Sequence, residues 1–378
     1  MKTKDFTFEL PKELIAQHPT GERGQSRLMV LDRTAGTRAH SKVIDLPQIL
    51  CQPPFLSPDG AKPLLVFNDS KVRKARLIGK SQSSGAQAEF LLLEKLQEEK
   101  AGGQPNVWKV MVKRAGRKKP GDRYVFFDDT AEETAGAEIA GAEITGIVSD
   151  ADNAGLIEGE GALRFLQFDR DINDEWLDRY GHIPLPPYIK REDTPADAKR
   201  YQTVYAKNTG SAAAPTAGLH FTEEILARLA GNGIETVFIT LHVGLGTFLP
   251  VRTENIKDHT MHEEHFIISE QSALQIEKAK TEKRKVIAVG TTCIRCLESA
   301  WTESGVLKKG EQDTSIFIYP SFRFKVADAL FTNFHTPEST LLMLVAAFAG
   351  REFILESYQE AVREKYRFFS YGDAMLIG

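Results

Sequence analysis

Val286-Ile287-Ala288-Val289-Gly290-Thr291-Thr292 is the stretch on which the fold turns. A short apolar run ending at a glycine reads as a buried strand, and the hydroxyls after it enter a helix from about Thr292. The same pattern repeats on either side. Upstream, Ser269 caps a helix to about Lys283, and residues 234–241 alternate as a strand. Before them Thr222 caps a helix with Glu223 and Glu224 in its first turn, closed by Gly231. Downstream, residues 316–319 read as a strand. Ser339 caps an apolar helix to Phe348, and a last helix covers about 352–366. From about Trp176 onward, strands alternating with helices predict a layered α/β domain.

Between residues 64 and 170 the pattern differs. Residues 64–67, 72–78, 89–93, 107–112, 124–127, 144–148 and 163–168 are short apolar or alternating runs between turns and charged loops. Such spacing predicts an antiparallel barrel or sandwich. The organisation expected is one discontinuous α/β domain, 1–63 with 171–378, interrupted by a β-rich insert, 64–170.

The length of 378 residues suits two or three domains. Apolar residues at 42% and charged residues at 26% exclude disordered and fibrous classes. With 48 Lys and Arg against 52 Asp and Glu, the net charge of −4 excludes a globally basic nucleic-acid binder but not a local basic patch. Cys51, Cys293 and Cys296 are too few for a disulfide framework. No apolar h-region follows Met1, and the longest apolar run, 341–350, is about half of a ~20-residue membrane span. A cytoplasmic chain without membrane contact is expected.

Charge is segregated inside the insert. Lys109, Lys113, Arg114, Arg117, Lys118, Lys119 and Arg123 cluster, with Arg73, Lys74, Arg76 and Lys80 upstream. An acidic run from Asp128 to Asp152 follows. The basic cluster suits a phosphate backbone; the plainer reading is a solvated hairpin.

Chemistry concentrates at strand-to-helix junctions. Ser211 to Thr222 brings small residues, with Pro215, Thr216 and Gly218 among them, up to His220 at a helix start. Small residues let a ligand approach the backbone, and free N–H groups favour anions. The alternative is an ordinary connection with an incidental histidine. Thr240 to Phe248 runs a strand through His242, Gly244 and Gly246 to Thr247. It lacks the third glycine of a dinucleotide fingerprint, yet strand ends are where open α/β sheets bind ligands. His242 points into such a crevice or into the core. Thr291, Thr292 and Arg295 form a third junction; Arg295 either grips an anion or pairs with Glu298 at i+3. Asn333 and His335 form a fourth, and Tyr371 and Asp373 lie in an aromatic C-terminal segment. His259, His262 and His265 would spread around a helix rather than converge, and Cys293-x-x-Cys296 lacks a redox context, so no metal site is expected.

Several ordered blocks are diagnostic together. They include Val66-Phe67-Asn68-Asp69-Ser70-Lys71-Val72 with Ala75-Arg76-Leu77, Ile183-Pro184-Leu185-Pro186-Pro187-Tyr188-Ile189, and Arg200-Tyr201-Gln202-Thr203-Val204-Tyr205. The 213–221 and 241–248 blocks, Met261-His262-Glu263-Glu264, Val289-Gly290-Thr291-Thr292, Thr332-Asn333-Phe334-His335 and Ser370-Tyr371-Gly372-Asp373-Ala374-Met375 complete the set. Along nearly its whole length the chain resembles the S-adenosylmethionine:tRNA ribosyltransferase-isomerase family of queuosine biosynthesis. It departs from that pattern at Ser315, Ser321, Thr336, Cys293 and Cys296, and residues 51–62 and 130–160 look like insertions.

The resemblance implies an α/β half-barrel with an inserted antiparallel β-barrel. It implies transfer and isomerisation of the ribosyl unit of S-adenosylmethionine onto 7-aminomethyl-7-deazaguanine at the tRNA wobble position, releasing adenine and methionine. S-adenosylmethionine is then a substrate, no cofactor is permanently bound, and a monomer is expected. That chemistry needs a base near the sulfonium-acidified C5′ hydrogens and an acid for departing adenine. His220, His242 and His335 are the expected proton carriers, with Asp373 and Tyr371 positioning a substrate. Thr291, Thr292 and Arg295 are expected on a carboxylate or phosphate, and Arg200, Tyr201, Gln202 and Tyr205 on the target nucleotide. Asp69, Arg76, Pro215, Thr216, Gly218, Gly244, Gly246, Thr247 and Asn333 are expected to line the substrate site. A conventional methyltransferase and a non-catalytic RNA-binding module are the rival readings; a one-methyl mass gain on RNA, or no adenine release, would mark them.

Overall fold

The structure, a computed structural model, describes every residue except 100, 113–114, 127–143, 150–162, 245–250 and 252. Two compact units emerge: Met1–Val72 with Leu185–Gly378, and Arg73–Pro184.

The larger unit begins with β1 (Arg27–Asp32), β2 (Thr37–Lys42), the short helix α1 (Leu46–Ile49), β3 (Leu64–Asn68) and β4 (Ser70–Val72). The smaller unit then supplies β5 (Arg76–Ser81), β6 (Gln87–Lys95), β7 (Val107–Val112), β8 (Arg123–Phe126), β9 (Ile144–Ser149), β10 (Leu163–Phe168) and helix α2 (Asp174–Tyr180). The chain returns through α3 (Pro195–Arg200), β11 (Asn208–Ser211), α4 (Glu223–Gly231), β12 (Glu235–Leu241) and β13 (Glu264–Ile268). Next come α5 (Glu270–Thr281), β14 (Val286–Val289), α6 (Thr291–Ala300), β15 (Gly310–Thr314) and β16 (Ala329–Asn333). The unit ends with α7 (Thr340–Ala349), α8 (Arg351–Arg363) and β17 (Ala374–Ile377).

The smaller unit is a closed six-stranded antiparallel barrel in the order β10-β7-β6-β5-β8-β9. The larger unit holds a nine-stranded mixed sheet, β15-β13-β12-β3-β14-β16-β17-β1-β2. Within it β12, β3, β14 and β16 are parallel neighbours, so their C-terminal ends share one edge. β3 is entirely buried because the sheet is covered on both faces. Its alternate residues feed two separate cores: Leu64 and Val66 one, Leu65 and Phe67 the other. Truncating Phe67 to Ala should cost about 3–5 kcal/mol through the cavity left behind.

The helices start where local chemistry directs. Thr222, Ser269 and Ser339 each accept the backbone N–H three residues on, at 3.1 Å. Gly290 sits at φ 95°, a left-handed conformation that turns β14 directly into α6.

The structure moves some expected boundaries. Residues 64–72 belong to the larger unit, because β3 pairs with β12 and β14 and β4 pairs with β11, and residues 171–184 belong to the smaller one. The strand expected at 316–319 is irregular chain; the strand is β15, just before it. β15 is polar because it is an outer strand, paired only with β13, while Ile316, Phe317 and Tyr319 pack as a loop against the core. His259 and His262 lie in loop and His265 on β13, so no single helix carries the three. Among the described residues no helix is long and apolar enough to cross a membrane.

Candidate active site

Four chain segments leave the shared edge of the parallel strands. A cavity of about 490 Å³ opens there, lined by Thr216, Thr291, Thr292, Asn333 and His335 among others. Its wall includes no Lys or Arg among the described residues. Thr291 and Thr292 begin α6, and Asn333 ends β16, so each is fixed by a strand end.

His335 is buried and has Nε2 3.0 Å from the Thr332 hydroxyl, while its backbone N–H donates to the Tyr358 hydroxyl. Burial pushes its imidazole down to about 3, so the ring is neutral at ordinary pH. His220 is buried one layer away: the Asn333 amide donates to its Nε2 at 2.9 Å. Burial, then the charges of Arg367 and Arg23, push His220 down to about 3. His220 lines a second, small recess rather than the large cavity. His242 has Nδ1 2.8 Å from the Ser70 hydroxyl and packs against Gly210, where a Cβ would come within 2.8 Å of its ring.

A family model described as queuosine biosynthesis protein matches residues 3–377. The chain belongs to the queuosine biosynthesis protein family. The S-adenosylmethionine:tRNA ribosyltransferase-isomerase of Treponema denticola is 53% identical over 378 residues, covering 100% of both chains. Its namesake in Acetivibrio thermocellus is 45% identical, also over 100% of both. The crystal structure of S-adenosylmethionine tRNA ribosyltransferase from Thermotoga maritima aligns over 99% of this chain and 100% of that one, with 33% identity and a TM-score of 0.51.

The other expected site residues of this family member divide into cavity and scaffold. Pro215 and Thr216 line the cavity. Gly218 packs tightly, since a Cβ there would lie 2.1 Å from the Tyr205 hydroxyl oxygen. Arg295 is buried and paired at 2.5 Å with Glu264, not with Glu298 and not at the cavity wall. Glu298 instead accepts the backbone N–H groups of Lys325, Val326 and Ala327. Asp373 is a brace: its carboxylate accepts the backbone N–H groups of Arg27 and Arg367 at 2.9 and 2.8 Å. Burial raises its pKa despite those bonds. Tyr371 donates to Asp197 at 2.8 Å, and the Arg191 fork and Thr194 hold that carboxylate below its usual range. Asp69 accepts from Thr240 at 2.6 Å and from Asn208 at 3.1 Å.

Of the expected nucleotide contacts, Tyr201 is fully buried and Gln202 clasps the backbone of Val72. Tyr205 packs edge-on to Phe67. Of these four, Arg200 lines the small recess, and none lines the large cavity. Arg76, in the smaller unit, pairs with Glu89 at 3.1 Å. Gly244 is described but does not line the cavity, and Gly246, Thr247, Lys113, Arg114 and the acidic residues 128–143 lie outside the described residues. Cys293 and Cys296 are buried, and burial pushes both thiols up. Among the described residues no group of three or more His, Cys, Asp or Glu could hold a metal.

Sequence reasoning missed Tyr188, Phe369, Ser370 and Glu338 on the cavity wall, and Arg23 in the recess. Tyr188 and Phe369 carry a visible signal, each standing in a diagnostic or aromatic block. Glu338 carries none in the sequence; its left-handed backbone at φ 58° appears only in the fold.

Proposed function

We propose that the chain transfers and isomerises the ribosyl moiety of S-adenosylmethionine onto the 7-aminomethyl-7-deazaguanine base at the tRNA wobble position. The products are epoxyqueuosine-tRNA, adenine and methionine. The observation that carries this reading is full-length identity of 53% to a relative bearing the ribosyltransferase-isomerase name. The cavity at the parallel strand ends supports it, being large enough for a nucleoside-sized donor. On this reading the larger unit is the catalytic half-barrel domain and the barrel is an RNA-contacting insert. S-adenosylmethionine is consumed, no resident cofactor takes part, and the enzyme works as a cytoplasmic monomer.

The positive sulfur acidifies the C5′ hydrogens, and a neutral histidine can remove one. His335 is our choice, because it alone of the three histidines lines the large cavity. His220 acts through Asn333, and His242 through Ser70 at the neighbouring strand end. The precursor amine attacks the activated sugar, adenine leaves with a proton, and methionine departs as a neutral thioether as the epoxide closes. The exposed Arg117, Lys119 and Arg123 of the barrel are further proposed RNA contacts. Neutralising all three should flatten the salt dependence of tRNA binding, and an unchanged slope removes that role.

Incubation with precursor-modified tRNA and S-adenosylmethionine tests the reaction. Adenine and methionine should appear in equal amounts. A one-methyl mass gain on the RNA, or no adenine, would overturn it.

A further inference from the structure

The small recess near His220 has its own chemistry. Its volume is about 20 Å³, and Thr20, Arg23, Ser26, Arg200, His220 and Tyr371 line it. Among the described residues, no carboxylate forms part of its wall. Arg23 donates to the carbonyls of Gln202 and Lys199, both at 2.9 Å. Arg200 donates back to the carbonyls of Gly21 and Thr20 at 3.1 and 2.7 Å. Each guanidinium is thus anchored by neutral carbonyls, and among the described residues neither is paired with an acid.

Two partly buried cations side by side are costly without a counter-charge. Burial, then the charge of Arg200, pulls the Arg23 guanidinium below its ordinary value. The nearby carboxylates are engaged elsewhere. Asp197 is held by Arg191 and Tyr371, and Asp373 by two backbone N–H groups. Arg367 stands outside the recess wall, anchored on the carbonyls of Tyr371 and His18, with Nε buried and unpartnered.

We propose that the recess seats one oxygen of an RNA backbone phosphate between the Arg23 and Arg200 guanidiniums. Its volume admits about one water-sized group, so a single non-bridging oxygen enters while the diester stays outside. Planar guanidiniums match phosphate oxygens in charge and geometry. The inference rests on the reading that tRNA is the substrate, and adds where it is gripped. His220 lines the recess and bonds Asn333, which lines the large cavity. A phosphate seated here therefore lies two side chains from the cavity, and holds its nucleotide in register with it.

Binding of precursor-modified tRNA to the full chain, measured across a salt series, tests this. Arg23→Gln and Arg200→Gln should each weaken binding about tenfold and lower the salt slope by about one. Arg23→Lys and Arg200→Lys should restore the slope, since they keep the charge. Binding of S-adenosylmethionine, read by calorimetry, should stay as in the wild type for all four, showing that the fold is intact. Wild-type slopes in the Gln variants would overturn the proposal. So would equal loss of tRNA and S-adenosylmethionine binding in Gln and Lys variants, which marks scaffolding. Micromolar binding of inorganic phosphate, abolished by Arg200→Gln, would assign the recess to a free anion instead. A wild-type chain that binds no tRNA would remove the ribosyl-transfer reading and this inference with it; the other outcomes touch the inference alone.

Discussion

The Asn333 side chain fixes the hydrogen of His220. The Asn333 amide nitrogen lies 2.9 Å from His220 Nε2 and 3.2 Å from the carbonyl oxygen of Phe369. A carbonyl can only accept, so the NH₂ side of Asn333 faces both groups. His220 Nε2 must then accept, and its hydrogen resides on Nδ1. Nitrogen-15 NMR should show a protonated Nδ1 and a bare Nε2 at this ring. Asn333→Ala leaves the buried His220 Nε2 without this donor, while the Phe369 carbonyl keeps the Gly372 N–H, and should cost roughly 1–3 kcal/mol in urea denaturation. The opposite tautomer, or an unchanged midpoint, would contradict the arrangement.

Acid should destabilise the fold through two buried rings. His220 and His335 are both pushed from 6.5 down to about 3, chiefly by burial. Between those values the unfolded chain binds protons that the folded chain refuses. The stabilisation is therefore full above about pH 6.5 and is lost as the pH falls toward about 3, at roughly 1.4 kcal/mol per pH unit per histidine. Urea denaturation between about pH 7 and pH 5 should show this slope. His335→Leu should flatten it by one histidine's share; a variant with the wild-type slope would show that His335 titrates normally.

The Arg295–Glu264 pair should behave as a coupled buried unit. The two groups are 2.5 Å apart, with 4% of each side chain exposed. Glu264→Gln leaves a buried guanidinium without its counter-charge and should cost about 3–5 kcal/mol. Adding Arg295→Met should cost less than the two single losses summed. Strict additivity in a double-mutant cycle would mean that the pair carries no coupling.

Gly218 and Tyr205 share one space. Gly218→Ala would drive a Cβ to 2.1 Å from the Tyr205 hydroxyl oxygen and 2.8 Å from Thr203 Cγ2. Overpacking of this kind typically costs 1–3 kcal/mol, about that much here. Tyr205→Phe in the same chain should recover part of it by removing the oxygen. No recovery in melting temperature would place the clash at Thr203 instead.

Much of this was legible in the sequence where the physics is local. The caps Thr222, Ser269 and Ser339 act within three residues, so hydroxyl spacing located their helices. Parallel strands bring their C-terminal ends to one edge, so residues after separate strands, Thr291 and Asn333 among them, could be grouped before any contact was known. Long-range partners were not legible. Glu298 is the neighbour that helical spacing offers Arg295, yet the partner is Glu264, 31 residues away. β15 is polar and gains its identity only by pairing with β13, while β17 lies parallel to β1 from the opposite end of the chain. Asp373 reads as a substrate-positioning residue in one dimension; in three it ties the N–H groups of Arg27 and Arg367 together.

The fate of the sugar tests the central claim most directly. S-adenosylmethionine carrying carbon-13 throughout its ribose is incubated with the enzyme and precursor-modified tRNA, and the RNA is digested to nucleosides. The account predicts all five labelled carbons on the modified base, with unlabelled adenine released. Label left in solution, or RNA that gains a methyl from a methyl-labelled donor, would contradict it.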